Sequence, residues 1–283
     1  MRPHQWVKNA FVFAPVVFAG RLGDVPSLAL ASFATFAFCV LSGSVYLLND
    51  AFDVERDRRH PTKRFRPIAA GRITPSTAVA WSAALVVVSV GVSAVLSWRL
   101  SLVMLAYYGL NVAYTRALKN VAYLDVMIIA TGFLLRVLAG ALAINVAISP
   151  WLLGCTFLLA LFLGFGKRLH ELRMMDVGTS ESRAVLQRYT ISAVRRMMGL
   201  TATATLAAYA AYTFSAHAVH LFGTHWVPLT IPFTLFGLLR FMVLTGRDEE
   251  GVSPTEQIVR DVPFILNIVA WGLVVLYLMY IQG

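Results

Sequence analysis

Charge is scarce in this chain, and acid most of all: 14 Asp+Glu stand against 24 Lys+Arg in 283 residues, and the four charged types together make up only 13%. An ordinary soluble domain carries roughly 25% charged residues, so that class is excluded. Cysteine is nearly absent. Cys39 and Cys155 each sit inside a separate apolar stretch, so they read as small buried hydrophobes, with neither a disulfide framework nor a thiolate metal site to infer. No stretch repeats at a fixed period. No soluble segment is large enough to present a groove reader, so nucleic acid is excluded as a partner.

What is present in quantity is hydrophobicity: 58% of residues are apolar and the mean hydropathy is +0.71. Apolar runs of membrane-spanning length, roughly 17–25 residues, recur along the chain. They fall near 7–20, 27–48, 76–97, 100–115, 124–143, 150–166, 191–216, 226–245 and 263–281. The spacing predicts an all-α integral membrane protein with about nine transmembrane helices, forming a single transmembrane catalytic domain over 1–283. The first run is short, contains Pro15 and ends in small residues like a signal peptide. No separable domain follows it, so it reads as part of the structure.

The basic residues are distributed unevenly. Of the 24 Lys+Arg, 20 fall in segments on the N-terminal side of the membrane, only Arg21 and Arg99 on the other, and Arg136 and Arg240 inside helices. The positive-inside rule then places the N-terminus and the long charged segments in the cytoplasm, with the C-terminus outside a cell membrane. The net charge of +10 is thus a property of one face, suited to anionic headgroups and phosphorylated substrates. His217, His220 and His225 lie on the opposite side beside Trp226 without a carboxylate or thiol, and read as interfacial residues.

The acids that do occur are concentrated. Asn49-Asp50-Ala51-Phe52-Asp53-Val54-Glu55-Arg56-Asp57 follows the second apolar run. If the helix continues, Asp50, Asp53 and Asp57 fall within an arc of roughly 60° while Glu55 points about 140° away. Three carboxylates on one face repel unless a cation joins them, and such hard oxygen ligands suit Mg²⁺ shared with substrate phosphates. The alternative is a solvated, salt-bridged loop. The bases that follow, Arg56, Arg58, Arg59, Lys63, Arg64 and Arg66, complement a phosphate-rich ligand.

A second charged segment, Lys167–Thr190, opens Lys167-Arg168-Leu169-His170-Glu171. Lys167 and Glu171 are four apart and share a helix face, either to grip a substrate or as an intrahelical ion pair. Tyr114 and Lys119 close the fourth run and Asp125 opens the fifth. Arg136 lies about 16 Å along the helix from Asp125, near the bilayer middle. A charge there faces either a polar chamber or a structural partner.

With these residues laid out, the chain resembles the UbiA superfamily of integral-membrane prenyltransferases, through the N-D-x-x-D-x-x-x-D string at Asn49–Asp57 and the basic extension from His60 to Gly71. The resemblance implies a helical bundle around a central cavity, with cytoplasmic cap loops after helices 2 and 6 (about 49–75 and 167–190) and aspartates that bind a diphosphate through Mg²⁺. Aromatic prenyltransferases carry a second D-x-x-x-D in the later cap, whereas this chain reads KRLHELRMMD at Lys167–Asp176. Together with Arg2-Pro3-His4-Gln5-Trp6-Val7-Lys8-Asn9 and Tyr114-x-x-x-Leu118-Lys119, that departure resembles the decaprenyl-phosphate phosphoribosyltransferase branch.

That branch implies transfer of 5-phosphoribose from phosphoribosyl pyrophosphate to a polyprenyl phosphate lipid. The catalytic and metal-binding residues would be Asp50, Asp53 and Asp57. Asn49, Lys63, Arg66, Tyr114, Lys119, Lys167, Arg168, Glu171 and Arg136 would bind substrate. Prenyl transfer to an aromatic acceptor is the alternative, and a transporter the remote one. Since 13 of the 14 acids lie at or beyond helix ends on one side, the pattern favours an active site at the mouth over midplane carrier chemistry. Homo-oligomerisation stays open.

Overall fold

The computed structural model describes residues 3–176, 185–246, 257–258 and 260–280. Arg2 of the opening motif, residues 177–184 of the second charged segment, and Arg247 and Ile281 therefore lie outside the described residues. The ordered elements are helical. After a 3₁₀ helix at Pro3–Phe13 come α1 Ala14–Phe18, α2 Val25–Phe52, α3 Val54–Arg59, α4 Pro75–Leu96, α5 Trp98–Arg116, α6 Leu124–Ala143, α7 Pro150–Asp176, α8 Ile191–Thr213, α9 Ala216–Phe222, α10 Ile231–Leu244 and α11 Val262–Tyr280.

Helix starts and stops follow ordinary capping chemistry. Pro75 opens α4 where its missing N–H costs nothing, and the Thr74 hydroxyl accepts from the Thr77 amide at 3.2 Å. Thr190 and Ser215 cap α8 and α9 in the same way. Gly223 ends α9 in the left-handed conformation (φ 65°).

Six segments among the described residues are long and apolar enough to cross a membrane: Val25–Phe52, Pro75–Leu96, Leu124–Ala143, Pro150–Met174, Val227–Leu244 and Val262–Tyr280. Three of the nine expected spans fall outside this set, for identifiable reasons. The first run is mostly 3₁₀ and short. Helix α5 is diluted by Arg99, Arg116, Asn111 and three tyrosines, and α8 by Arg195, Arg196 and four threonines.

The chain packs into two compact units, Met1–Ala117 with Gly132–Ile148, and Leu118–Thr131 with Ser149–Gly283. In the first, α2 packs along α4 and more briefly along α5 and the N-terminal 3₁₀ segment. Helix α4 is apolar on its exposed side (Val87, Val88, Val95) and buries a stripe of Ala78, Ser82, Ser89 and Ser93. Small residues allow close backbone approach, and their hydroxyls bond to carbonyls, as Ser82 does to Ser44 O at 2.9 Å. Phe38, Leu41, Leu100, Met104, Tyr107 and Ala139 centre this unit's core.

One close approach helps hold the N-terminal segment in the first unit: a Cβ at Gly140 would collide with the Val12 carbonyl, so only glycine allows the two backbones to touch. The second unit packs α7 along α8 and α10 against α11. Its core centres on Val126, Phe162, Leu169, Val194, Met198 and Phe241.

Candidate active site

The aspartate string sits on a helix that breaks and resumes. Helix α2 stops at Phe52, Asp53 takes φ −93° and ψ 8°, and α3 begins at Val54. The hydrogen-bond register survives the break: Asp53 N–H donates to Asn49 O at 2.9 Å and Asp57 N–H to Asp53 O at 2.8 Å. Asp50, Asp53 and Asp57 therefore keep near-helical spacing, with Asp53 in the sparsely populated bridge region where active-site residues are often found.

Arg66, carried over by the turn after α3, bridges two of these acids through one nitrogen. Its Nη1 is 3.1 Å from Asp50 Oδ1 and 2.6 Å from Asp57 Oδ2. Asp53 Oδ2 meets Arg56 Nη2 at 2.8 Å, and Glu55 turns outward to Arg58 Nη1 at 2.8 Å. Asp57 is buried, while Arg66 and Asp53 are partly exposed.

Two carboxylate oxygens on one cationic nitrogen form a position that accepts positive charge, and the donors are of the hard oxygen type Mg²⁺ prefers. Among the described residues no three His, Cys, Asp or Glu converge closely enough to hold a metal unaided. An ion held by these acids would need further oxygen ligands from a substrate. Beneath the string, the Thr115 hydroxyl sits between Asn49 Oδ1 and the Asn111 carbonyl, 2.8 Å from the latter, tying α5 to α2. Lys63 and Tyr114 are half-buried in the same unit.

Arg136 also belongs to the first unit and is 6% exposed. Its Nε donates to Asn9 Oδ1 (2.8 Å), Nη1 to Gly132 O (2.9 Å) and Nη2 to the Tyr107 hydroxyl (2.8 Å). The guanidinium carbon lies 4.8–5.6 Å from the ring centres of Tyr107, Phe133 and Phe38. Ser42 joins both Asn9 (3.5 Å) and Tyr107 (3.4 Å).

The second unit holds a different constellation. Arg168, 1% exposed, places Nε 2.8 Å from Asp125 Oδ2, a charged contact that lacks a linear N–H···O, and its Nη1 pairs with Glu171 Oε2. Tyr189 donates its hydroxyl to Asp125 Oδ1 at 2.5 Å and accepts the Tyr123 amide at 2.6 Å. Burial, and then the bond to Asp125, push its phenol well above the ordinary range. Tyr123 adopts φ 67° and stacks edge-on against Tyr189, which holds it in that strained conformation. Arg168 thus meets both Asp125 and Glu171. Lys167 is exposed, and Lys119 lies half-buried in a short 3₁₀ turn, Leu118–Asn120.

Asn9, Tyr107, Asp125 and Tyr189 are contacts of the candidate residues that the sequence does not assign. Asn9 had a signal, as a polar residue in an otherwise apolar run, and Tyr107 lies four before Asn111 on the same face. The Asp125–Tyr189 pairing, 64 residues apart, left no local trace.

Comparison with known proteins decides the family: the UbiA prenyltransferase family model matches residues 10–255. The chain belongs to the UbiA prenyltransferase family. It is a membrane-embedded transferase with the helical fold of that family. A relative from Mycolicibacterium smegmatis, named decaprenyl-phosphate phosphoribosyltransferase, is 36% identical over 96% of this chain and 88% of its own length. One of the same name from Corynebacterium glutamicum is 33% identical over 100% and 86%. Among solved structures, a UbiA homolog from Archaeoglobus fulgidus bound to DMAPP and Mg²⁺ superposes with a TM-score of 0.73 at 17% identity, covering 99% of this chain and 97% of its own. The UbiA architecture is thus the fold here.

Proposed function

We propose that this UbiA-family enzyme transfers the 5-phosphoribosyl group of phosphoribosyl pyrophosphate to a polyprenyl phosphate, releasing pyrophosphate. The observation that carries this is the 36% identity, over 96% of this chain and 88% of the relative, to a protein named decaprenyl-phosphate phosphoribosyltransferase. In bond terms, the anomeric C–O bond to pyrophosphate breaks and one from the same carbon to a lipid phosphate oxygen forms. Electrons leave with the pyrophosphate, and no redox partner is needed. The attacking phosphate is already anionic at neutral pH, so it needs positioning and not a general base.

Asp50, Asp53 and Asp57 would hold Mg²⁺ together with the pyrophosphate oxygens, and that ion would neutralise the leaving group's developing charge. Arg66, shared between Asp50 and Asp57, and Lys63 would lend their positive charge to the pyrophosphate. Asn49 and Tyr114 line the same helix ends. In the second unit, Lys119, Lys167 and Glu171 would meet a substrate phosphate or sugar hydroxyl. Arg168, held by two acids, would orient Glu171. The whole chain would serve as one catalytic domain in a cell membrane, the N-terminus and charged segments cytoplasmic and the C-terminus outside.

The test uses purified protein with Mg²⁺, a polyprenyl phosphate and phosphoribosyl pyrophosphate labelled in the ribose. The expected result is label in the extracted lipid, abolished by EDTA. Absence of that label, with transfer from a prenyl diphosphate to an aromatic acid instead, would overturn the reading.

A further inference from the structure

Arg136 carries a full positive charge inside an apolar helix, and its three hydrogen bonds all go to neutral acceptors. Among the described residues no carboxylate pairs with it. A guanidinium has five N–H donors. Three are used, which leaves one on each terminal nitrogen, the number that a two-oxygen grip on a phosphate requires. Ring faces and neutral oxygens soften the cost of burying this charge but do not neutralise it, and a buried cation calls for an anion.

The surroundings indicate which anion. Ser42, bonded to Arg136's partners, lies seven residues before Asn49 on α2. Tyr107 lies eight before Thr115 on α5, with Asn111 midway. Polar groups therefore step from Arg136 to the aspartate string over roughly 10–12 Å. An isoprenoid tail is poorly served by such a run of polar groups. A pentose that carries phosphate at opposite carbons has about this span and matches charge at both ends.

We infer that Arg136 receives the phosphate monoester of the sugar donor, while the donor's diphosphate lies at Asp50, Asp53 and Asp57. This rests on the phosphoribosyl reading above and deepens it: the second phosphate becomes the group by which the enzyme tells its donor from a prenyl diphosphate. The lipid phosphate is the other phosphate monoester in the reaction, so the experiment separates the two.

The measurement varies phosphoribosyl pyrophosphate and lipid phosphate independently in wild type, Arg136→Lys and Arg136→Gln, with ribose 5-phosphate and pyrophosphate as inhibitors. The expected result is a KM for phosphoribosyl pyrophosphate raised roughly tenfold or more, the scale of a lost charge-assisted hydrogen bond. Inhibition by ribose 5-phosphate should vanish, while pyrophosphate inhibition and the lipid KM stay as in wild type. A raised lipid KM with an unchanged donor KM would overturn the inference in favour of the lipid phosphate. No change in either would make Arg136 a structural residue.

Should both variants fail to fold, Tyr107→Phe keeps the charge and removes the hydroxyl under Nη2. A normal donor KM there, together with no inhibition of wild type by ribose 5-phosphate, would likewise overturn it. If wild type transfers no ribose to lipid, the functional reading fails by itself. Thermal stabilisation of wild type by ribose 5-phosphate, lost in Arg136→Lys, would then still establish the phosphate site, and its absence would remove it.

Discussion

Arg66 and Arg168 make the same formal arrangement in the two units, each set between two carboxylates, yet the arrangements differ in what they are for. Arg66 reaches Asp50 and Asp57 through a single nitrogen and remains 28% exposed in its side chain. Arg168 is 2% exposed in its side chain, spreads over Asp125 and Glu171 by different nitrogens, and sits beside a tyrosine that bonds the same aspartate. A partly exposed arginine can retreat toward solvent when another cation takes its place beside the buried Asp57. A sealed one cannot, since removing either partner strands a charge away from solvent. The first unit therefore keeps its arginine at the edge of the acids, and the second seals its arginine beside Asp125.

That contrast can be broken at several points. The largest expected effect is Asp53→Ala, which should abolish turnover while thermal unfolding in detergent stays at the wild-type temperature. Retained activity would remove the aspartate string from the chemistry. Next, Asp125→Ala should lower stability by about 3–5 kcal/mol, as for one partner removed from a buried ion pair. Thermal denaturation of the purified protein measures it, and an unchanged Tm would place Arg168 with the exchangeable group.

Arg66→Gln should reduce kcat by roughly tenfold, about 1.4 kcal/mol of transition-state stabilisation. It should also lower the Mg²⁺ concentration for half-maximal rate, since no guanidinium then competes for Asp50 and Asp57. A magnesium titration with the opposite shift would mean that Arg66 assembles the metal site and does not compete with it. The smallest effect belongs to Tyr189→Phe, which should cost about 1 kcal/mol, the worth of one hydrogen bond, with activity little changed.

Much of this arrangement was legible in the sequence because it is local. The aspartate spacing is a helical period, and it survives the joint at Asp53 since two backbone hydrogen bonds carry the register across. Glu55 faces away as counting along the helix requires, and pairs with Arg58. What the sequence could not show is every pairing made between helices. Arg66 could be matched to phosphate by its charge, but not to Asp57. Lys167 and Glu171 share a face by count, but nothing local in the sequence joins Arg168 to Asp125, 43 positions earlier. Arg240, conspicuous as a charge within a helix, meets Asp261 through two nitrogens at 3.0 and 2.7 Å. Periodicity reports which face a side chain occupies, whereas tertiary packing decides what it meets there.

The contact of Gly140 with the Val12 carbonyl has a mechanical consequence. One turn away, Asn9 holds Arg136, so the N-terminal segment is joined to α6 at two neighbouring points, one by backbone thickness and one by a hydrogen bond. Two such points act as a weld where one alone would act as a pivot. The guanidinium of Arg136 therefore has no freedom to swing toward an arriving ligand. Any ligand that reaches it must be brought to a fixed nail.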